Sequence, residues 1–320
     1  MATERSADAT LSASDENVHY EWNNDIDSAL TVADGDVVEF ECRDAREGQF
    51  DLDTSVEDVK AMDHGSGIPL TGPVTVEETE PGDVLRIDIL DVDHDDIGWT
   101  LFYPGEREVG LLPDEFPDWG LHVWDLTDGV GTFVDGIEIP LAPFPGTVGL
   151  APAADGSHST TPPRRVGGNM DVKYLTPGAT LFLPIETAGG LFSVGDGHAA
   201  QGDGEVCGGA IETAIDVTCQ FRVRSDMNID APQFRPGNRA DLPDRPVPTY
   251  ATSGVSDDLM DASKQAVSAM VEHLHAHRDL SREHAYILCS VAADLKINEV
   301  VDAPNWVVSA HLREDIFPDG

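Results

Sequence analysis

The sequence predicts a β-rich α+β protein: a jelly-roll-like β-sandwich body with a C-terminal helical hairpin. Three observations lead there. Apolar residues alternate or run at strand length through most of the chain up to Val223. Gly and Pro, 30 and 21 of the 320 residues, cut those runs into short pieces with turn chemistry between them. Apolar spacing of three and four dominates only beyond Ser256.

Residues 1–18 carry little to bury and are expected to form a flexible N-terminus. Residues 19–145 are expected to make an N-terminal β-rich lobe, and 146–320 a central β catalytic segment followed by a helical region. In the first lobe, Ala29-Leu-Thr-Val32, the turn Ala33-Asp-Gly-Asp36 and Val37-Val-Glu-Phe-Glu-Cys42 predict two short strands in a hairpin. The polar stretch 44–66 predicts a long loop or a short helix at Val56–Met62, with His64 near its end. Pro81-Gly-Asp83 between Val74-Thr-Val76 and the alternating run Val84–Val92 is a turn-then-strand pattern with one face buried.

Residues 93–120 concentrate aromatics and prolines without helical period, which predicts an irregular, partly buried loop. Trp99, Phe102, Tyr103, Phe116 and Trp119 are expected in the core or at a subunit contact, so a homo-oligomer is expected. Short strands are expected at His122–Leu126, Thr132–Val134 and Ile137–Ile139, then a Pro- and Gly-rich connection over Pro140–Pro163. Residues 225–250 read as loop from their prolines. Ser256 is the expected cap of a helix over Asp257–His277, and Ser281 of a second over His284–Asp294 whose Tyr286, Ile287, Leu288, Cys289, Val291 and Ala292 are expected to be buried. His273 and His277 share a face of the first helix, but no nearby acid completes a metal site.

Sixty acids face 19 bases, a net charge of −41, and only four of the bases are lysines. A charge of that sign opposes binding to nucleic acid or to an anionic membrane surface. The acids are spread along the chain among apolar residues, so they do not make a disordered tail. An acid coat nearly without lysine suits multimolar salt, where repulsion is screened within about 3 Å at 1 M. No apolar run approaches the roughly 18 residues of a membrane span, and a soluble, cytoplasmic protein is expected. The four cysteines, Cys42, Cys207, Cys219 and Cys289, are too irregularly spaced for a disulfide framework and are expected to be reduced.

Chemistry is expected in Arg165–Phe221. Eight glycines fall between Gly189 and Gly209, interleaved with Asp196, His198, Asp203 and Glu205, and the flanks Ala179–Ile185 and Ala210–Phe221 are apolar at strand length. In extended chain Asp196 and His198 point the same way, as do Asp203 and Glu205. Three or four such N/O ligands suit zinc or another divalent ion with an open position for water. Asn169, Asp171 and Glu212 are the next candidates. There is no G-x-S-x-G elbow, and Cys207 is the one thiol beside this stretch.

Three segments carry a resemblance: GPVTVEETEPGDVLRIDILDV at 72–92, GGNMDVKYLTPGATLFLPIETAGGLFSVGDGHAAQGDGEVCGGAIE at 167–212, and LCSVAADLKINEVVDAPNWVVSAHL at 288–312. Together they resemble the acetamidase/formamidase family, over nearly the whole chain beyond about residue 19. The resemblance implies hydrolysis of a short-chain amide, formamide or acetamide, to the carboxylate and ammonia, in an oligomer, with metal associated with some members.

Splitting an unactivated amide needs an activated nucleophile, a polarised carbonyl and a proton for the leaving nitrogen. The expected arrangement is a divalent ion, zinc with calcium as the alternative, held by Asp196, His198, Asp203 and Asp171. Glu205 or Glu212 is expected as proton acceptor, with Asn169 and His64 at the substrate. The alternatives are a Cys207 nucleophile, a hydrolase of a larger amide or other C–N compound, or a non-catalytic ligand-binding module using its acids for a structural cation. The charge pattern carries its own test. Near-UV circular dichroism followed while salt is dialysed away should lose its tertiary signal, and an unchanged spectrum in low salt would refute adaptation to high salt.

Overall fold

The computed structural model describes residues 6–317 apart from 63–64, 66, 105–106, 108, 238–247 and 279. The alternating run Val84–His94 is the longest strand, and its Val84, Leu85, Ile87, Ile89 and Val92 are buried while Arg86 and Asp88 are not. It pairs antiparallel with Ile215–Arg224 on one side and Thr180–Pro184 on the other. These three lie within a nine-stranded sheet that runs, edge to edge, Ala9–Leu11, Val37–Cys42, Ile215–Arg224, Val84–His94, Thr180–Pro184, Gln233–Arg235, Thr249–Ser256, Trp306–Arg313 and Ala293–Glu299.

A second sheet is ordered Gly167–Asn169, Phe144–Leu150, Phe192–Ala200, Ile211–Thr213, Ile97–Phe102 and Gly120–Asp125, with Leu70–Val76 also pairing to Phe192–Ala200. The main core lies between the sheets. Phe40, Ile87 and Phe221 of the first pack with Val74, Val148, Phe192 and Val194 of the second. The Phe192 ring centroid is 5.5 Å from that of Phe40 and 5.0 Å from that of Phe221. Offset and edge-on aromatic pairs of this kind add about 0.5–1.5 kcal/mol to their area burial. Both sheets draw strands from either side of residue 145.

The β-rich α+β class is observed, and several local expectations are corrected. Leu30–Val32 and Val37–Cys42 are strands but not a hairpin. The first pairs parallel with Leu70–Val76 in one sheet, the second antiparallel with Ile215–Arg224 in the other. The turn Ala33–Asp36 is therefore a corner between layers, held by Gly35 N–H donating to Phe221 O at 2.8 Å and by a φ of +101° at Gly35 that favours glycine. Alternation fixed which face is buried but not which neighbour each strand takes.

Residues 93–120 are not all loop, because Ile97–Phe102 pairs antiparallel with Gly120–Asp125 and buries Trp99 and Leu101. The connection 140–163 likewise contains the fully buried strand Phe144–Leu150, whose proline and two glycines masked its period. The short helix is present as α1, Val56–Ala61, with a capping box between Ser55 and Asp58.

The helical hairpin is α2, Leu259–His277, and α3, Arg282–Ala292. Asp258, not Ser256, caps α2 by accepting from the Asp261 N–H at 2.8 Å, while Ser281 caps α3 as expected. Ala262, Ala266, Met270 and Leu274, four apart, turn into the sheet against Tyr250, Val308, Ala310 and Leu312. Gly254 permits that approach, since a Cβ there would stand 2.1 Å from Ala262 O. The expected burial of α3 holds for Cys289 but fails for Tyr286 and Ile287, which are 64% and 60% exposed. One face of α3, through Ala285, Leu288, Cys289 and Ala292, packs on the body, and the chain leaves the helix at Ala293 to form the edge strand Ala293–Glu299 rather than continuing to Asp294. All four cysteines are free, three of them buried and Cys207 half-buried. No helix among the described residues is long and apolar enough to cross a membrane.

Two histidines of this framework are held neutral. His311 lies against Tyr174 and Phe234 with Nε2 2.8 Å from Ser309 Oγ, and burial lowers its pKa to about 3, Lys296 adding to the effect. His273 stacks on Tyr250 at 3.8 Å and is likewise lowered to about 3, by burial and then by His277, Arg235 and Arg278. Above pH 6.5 both are neutral whether folded or not. As pH falls the unfolded chain takes up these protons first, at about 6.5, so stability declines from there and the loss is complete near pH 3. Urea unfolding of His311→Gln and His273→Gln should show a smaller fall between pH 7 and pH 4 than the parent, and parallel curves would contradict this origin of acid sensitivity.

Candidate active site

The strand Phe192–Ala200 is buried along nearly its whole length, and its neighbours set the site. Antiparallel register places His198 opposite Glu212 on Ile211–Thr213 and opposite Phe144 on the other side. Directly opposed side chains on one face lie about 4.5–5.5 Å apart at Cβ, and here His198 Nε2 comes to 3.2 Å from Glu212 Oε2. Asp196 on the same strand puts Oδ1 3.7 Å from Nε2, and Asp171, just beyond Gly167–Asn169, puts Oδ1 3.7 Å from Nδ1. Glu205 closes the group, since Asp171, His198 and Glu205 present ligand atoms within 4.8 Å of one another, as do Asp196, His198 and Glu212.

Backbone strain gathers at the same place. Asp171, Asp196 and Glu205 have φ of +47°, +59° and +47°, half of the six non-glycine residues with positive φ among the described residues. Such conformations cost about 1–3 kcal/mol each and persist where the surroundings hold them. Gly146 faces the group without a side chain. A Cβ there would stand 2.6 Å from both Asp171 Oδ1 and His198 Cε1.

Asp171, Asp196, Glu205 and Glu212 are at most 7% exposed, and their ion pairs among the described residues are all with His198. Burial, then Glu205, pushes Asp171 well above the usual carboxylate range. Burial, then Asp302 and Glu212, does the same to Glu205. Burial also raises Glu212. Asp196 goes the other way, because the charge and hydrogen bonding of His198 and a hydrogen bond from Thr147 outweigh its burial. His198 is raised well above its ordinary value, as Glu212 and Asp196 outweigh its burial. Both oxygens of Asp171 and Oε2 of Glu212 are buried without a hydrogen-bond partner.

Asp196, His198, Glu205 and Glu212 line a cavity of about 510 Å³ together with Trp99, Leu101, Tyr103 and Arg46. Asn169 also lines it, and its Nδ2 donates to Asp302 Oδ2 at 2.6 Å. Thr147 Oγ1 donates toward Asn169 Oδ1 and Asp196 Oδ2. Burial raises Asp302 to about 7.

Of the residues expected from sequence, the structure brings together Asp171, Asp196, His198, Glu205, Glu212 and Asn169. Asp203 is not among them. It is exposed, and its carboxylate is held by Lys173 Nζ at 3.1 Å and Tyr174 Oη at 2.8 Å, because Glu205 turns through a positive φ and the expected Asp203/Glu205 pairing is lost. His64 lies outside the described residues. Cys207 Sγ is 3.4 Å from Gly209 O, and burial raises its pKa, so the thiol is not activated.

Sequence reasoning passed over Thr147, Gln201 and Asp302. The acid-rich Asn298-Glu-Val-Val-Asp302 before Ala303-Pro304 offered a signal for the last, but nothing local ties it to a strand about one hundred residues earlier.

A family model described as the acetamidase/formamidase family matches residues 5–159 and 153–319. The chain belongs to that family. It is 28% identical to the formamidase of Methylophilus methylotrophus across 95% of this chain and 90% of that one. It is 30% identical to the acetamidase of Mycolicibacterium smegmatis across 61% of this chain and 63% of that one. The crystal structure of an acetamidase from Bacillus halodurans superposes with a TM-score of 0.85 at 28% identity, covering 97% of this chain and 99% of that one.

Membership makes the chain an amidase, a hydrolase of amide C–N bonds. Its raised thiol pKa yields a direct test of the nucleophile. Cys207→Ala should retain turnover of a short amide within about threefold, and loss of more than about a hundredfold would return Cys207 to the chemistry.

Proposed function

We propose that this amidase hydrolyses formamide or acetamide at the His198 cluster, using water activated by a bound divalent ion. The supporting observation is the mismatch of charge: four buried carboxylates converge on one imidazole, and three of their oxygens have no hydrogen-bond partner. Like charges about 4 Å apart repel by about 4 kcal/mol at an effective dielectric of 20, and a cation relieves that. The donors fit such an ion, because the set mixes one imidazole nitrogen with carboxylate oxygens and the bare face of Gly146 leaves Asp171 and His198 uncrowded. An imidazole in the set favours zinc over calcium, which takes oxygen ligands alone.

Asp171, Asp196, His198, Glu205 and Glu212 would hold the ion, in one of two overlapping groups of three. When bound, a divalent ion supplies Lewis acidity and lowers the pKa of water on it toward about 7. The rest falls to the protein. Glu205 or Glu212, whichever does not bind the ion, accepts the proton of the attacking water and hands it to the leaving nitrogen. Asn169, fixed by Thr147 and Asp302, offers polar contacts at the amide. Trp99 and Leu101 exclude bulk water from the cavity, which strengthens each electrostatic contact.

Exposed Leu111, Leu112 and Phe116 support a homo-oligomer. The facing sheets support a jelly-roll-like body, and the acid surface supports a cytoplasm rich in salt.

His198→Ala should lose bound ion and turnover together. Of Glu205→Gln and Glu212→Gln, one should keep the ion while turnover of formamide falls by about 10²–10⁴, the usual worth of a general acid–base. Both would be measured by ammonia release and metal analysis. Undiminished turnover in His198→Ala after exhaustive chelation would refute the metal route.

A further inference from the structure

Gln201 is not accounted for by catalysis or by packing. It follows the histidine strand by one residue and lines a second cavity, of about 380 Å³, which shares Glu205 with the first. Its side chain turns back into the cluster. Nε2 donates to the backbone oxygen of Asp171 at 2.9 Å, and Oε1 sits 2.9 Å from His198 Nδ1.

A backbone carbonyl only accepts, so the Asp171 oxygen must meet the amide nitrogen of Gln201, since the flipped amide would set oxygen against oxygen. The amide oxygen then faces Nδ1. It too only accepts, so Nδ1 must carry the hydrogen. In a neutral imidazole the lone pair is thereby left on Nε2, the nitrogen aimed at Glu212 Oε2 and Asp196 Oδ1.

We infer that Gln201 is a positioning residue that fixes the His198 tautomer and so decides which of the two carboxylate groups receives the ion. The inference rests on the metal reading above. Asp196, Glu212 and His198 Nε2 hold the ion, whereas the Asp171 side of the imidazole presents an N–H and is closed to it. Glu205 is then the carboxylate left for proton transfer. Partners on the second nitrogen of a ligating histidine commonly govern metal affinity by 10–100-fold.

Zinc is the probe, titrated by competition into chelated, salt-stabilised protein, with near-UV circular dichroism confirming the fold of each variant. Gln201→Leu removes the acceptor and should weaken zinc binding by about 10–100-fold. Gln201→Glu restores an acceptor for the Nδ1 hydrogen while losing the bond to the Asp171 oxygen, and should bind zinc at least as tightly as the parent. In zinc-loaded parent protein, two-bond ¹H–¹⁵N correlations of His198 should show a protonated Nδ1 and a metallated Nε2.

Equal affinity in Gln201→Leu and the parent, or a metallated Nδ1, would overturn the assignment while leaving metal catalysis intact. Weakening by Gln201→Glu equal to that by Gln201→Leu would assign the effect to the Asp171 carbonyl contact and overturn it as well. A parent that takes up no zinc would bring down the metal reading itself, and this inference with it.

Discussion

An excess of buried negative charge around one imidazole is the constraint on which this structure depends. Burying an ionised carboxylate without a partner is costly enough that the group usually takes up a proton instead, and here three buried carboxylates share a single histidine with a fourth, Glu205, close by. The strand pairing, the left-handed residues and the missing Cβ at Gly146 all bring the acids closer than electrostatics alone would allow. A fold does not keep that arrangement for stability, since replacing such groups by apolar ones often costs nothing.

The scaffold supplies the rigidity this needs. His198 and Glu212 belong to paired strands of one sheet, and the histidine strand itself is anchored in the aromatic core through Phe192. Displacing the imidazole would require moving strands locked by that core. The helical hairpin lies elsewhere, against the strands Thr249–Ser256 and Trp306–Arg313 at the other end of the first sheet, and closes a separate small core. The loop after Glu299 reaches back from that region to bring Asp302 to the cavity.

Local chemistry was legible in the sequence where neighbours along the chain suffice. The Gly-interleaved stretch around Asp196 and His198 marked the site because tight backbone and metal-binding side chains coincide there, and Pro81-Gly-Asp83 marked a turn before an alternating strand. Pairing was not legible. Val37–Cys42 had the right period for a strand, yet its partner lies some 175 residues on, and nothing in either segment names the other. Asp203 was misjudged for a related reason. Spacing of two places side chains together only in regular strand, and the positive φ at Glu205 breaks that rule in a way that composition does not report. Tyr286 and Ile287 were expected inside because apolar residues cover both faces of α3, whereas only one face meets the body.

The left-handed backbone at Asp171, Asp196 and Glu205 has a consequence for how such a site tolerates change over evolutionary time. Asn is among the few side chains that enter this conformation readily, whereas Ala pays the full Cβ penalty. Drift at positions 171 and 196 is therefore channelled toward the neutral amide, which preserves the chain path while altering charge by one unit. Lineages that shed the chemistry are thus expected to pass through intact, differently charged pockets before they lose the fold.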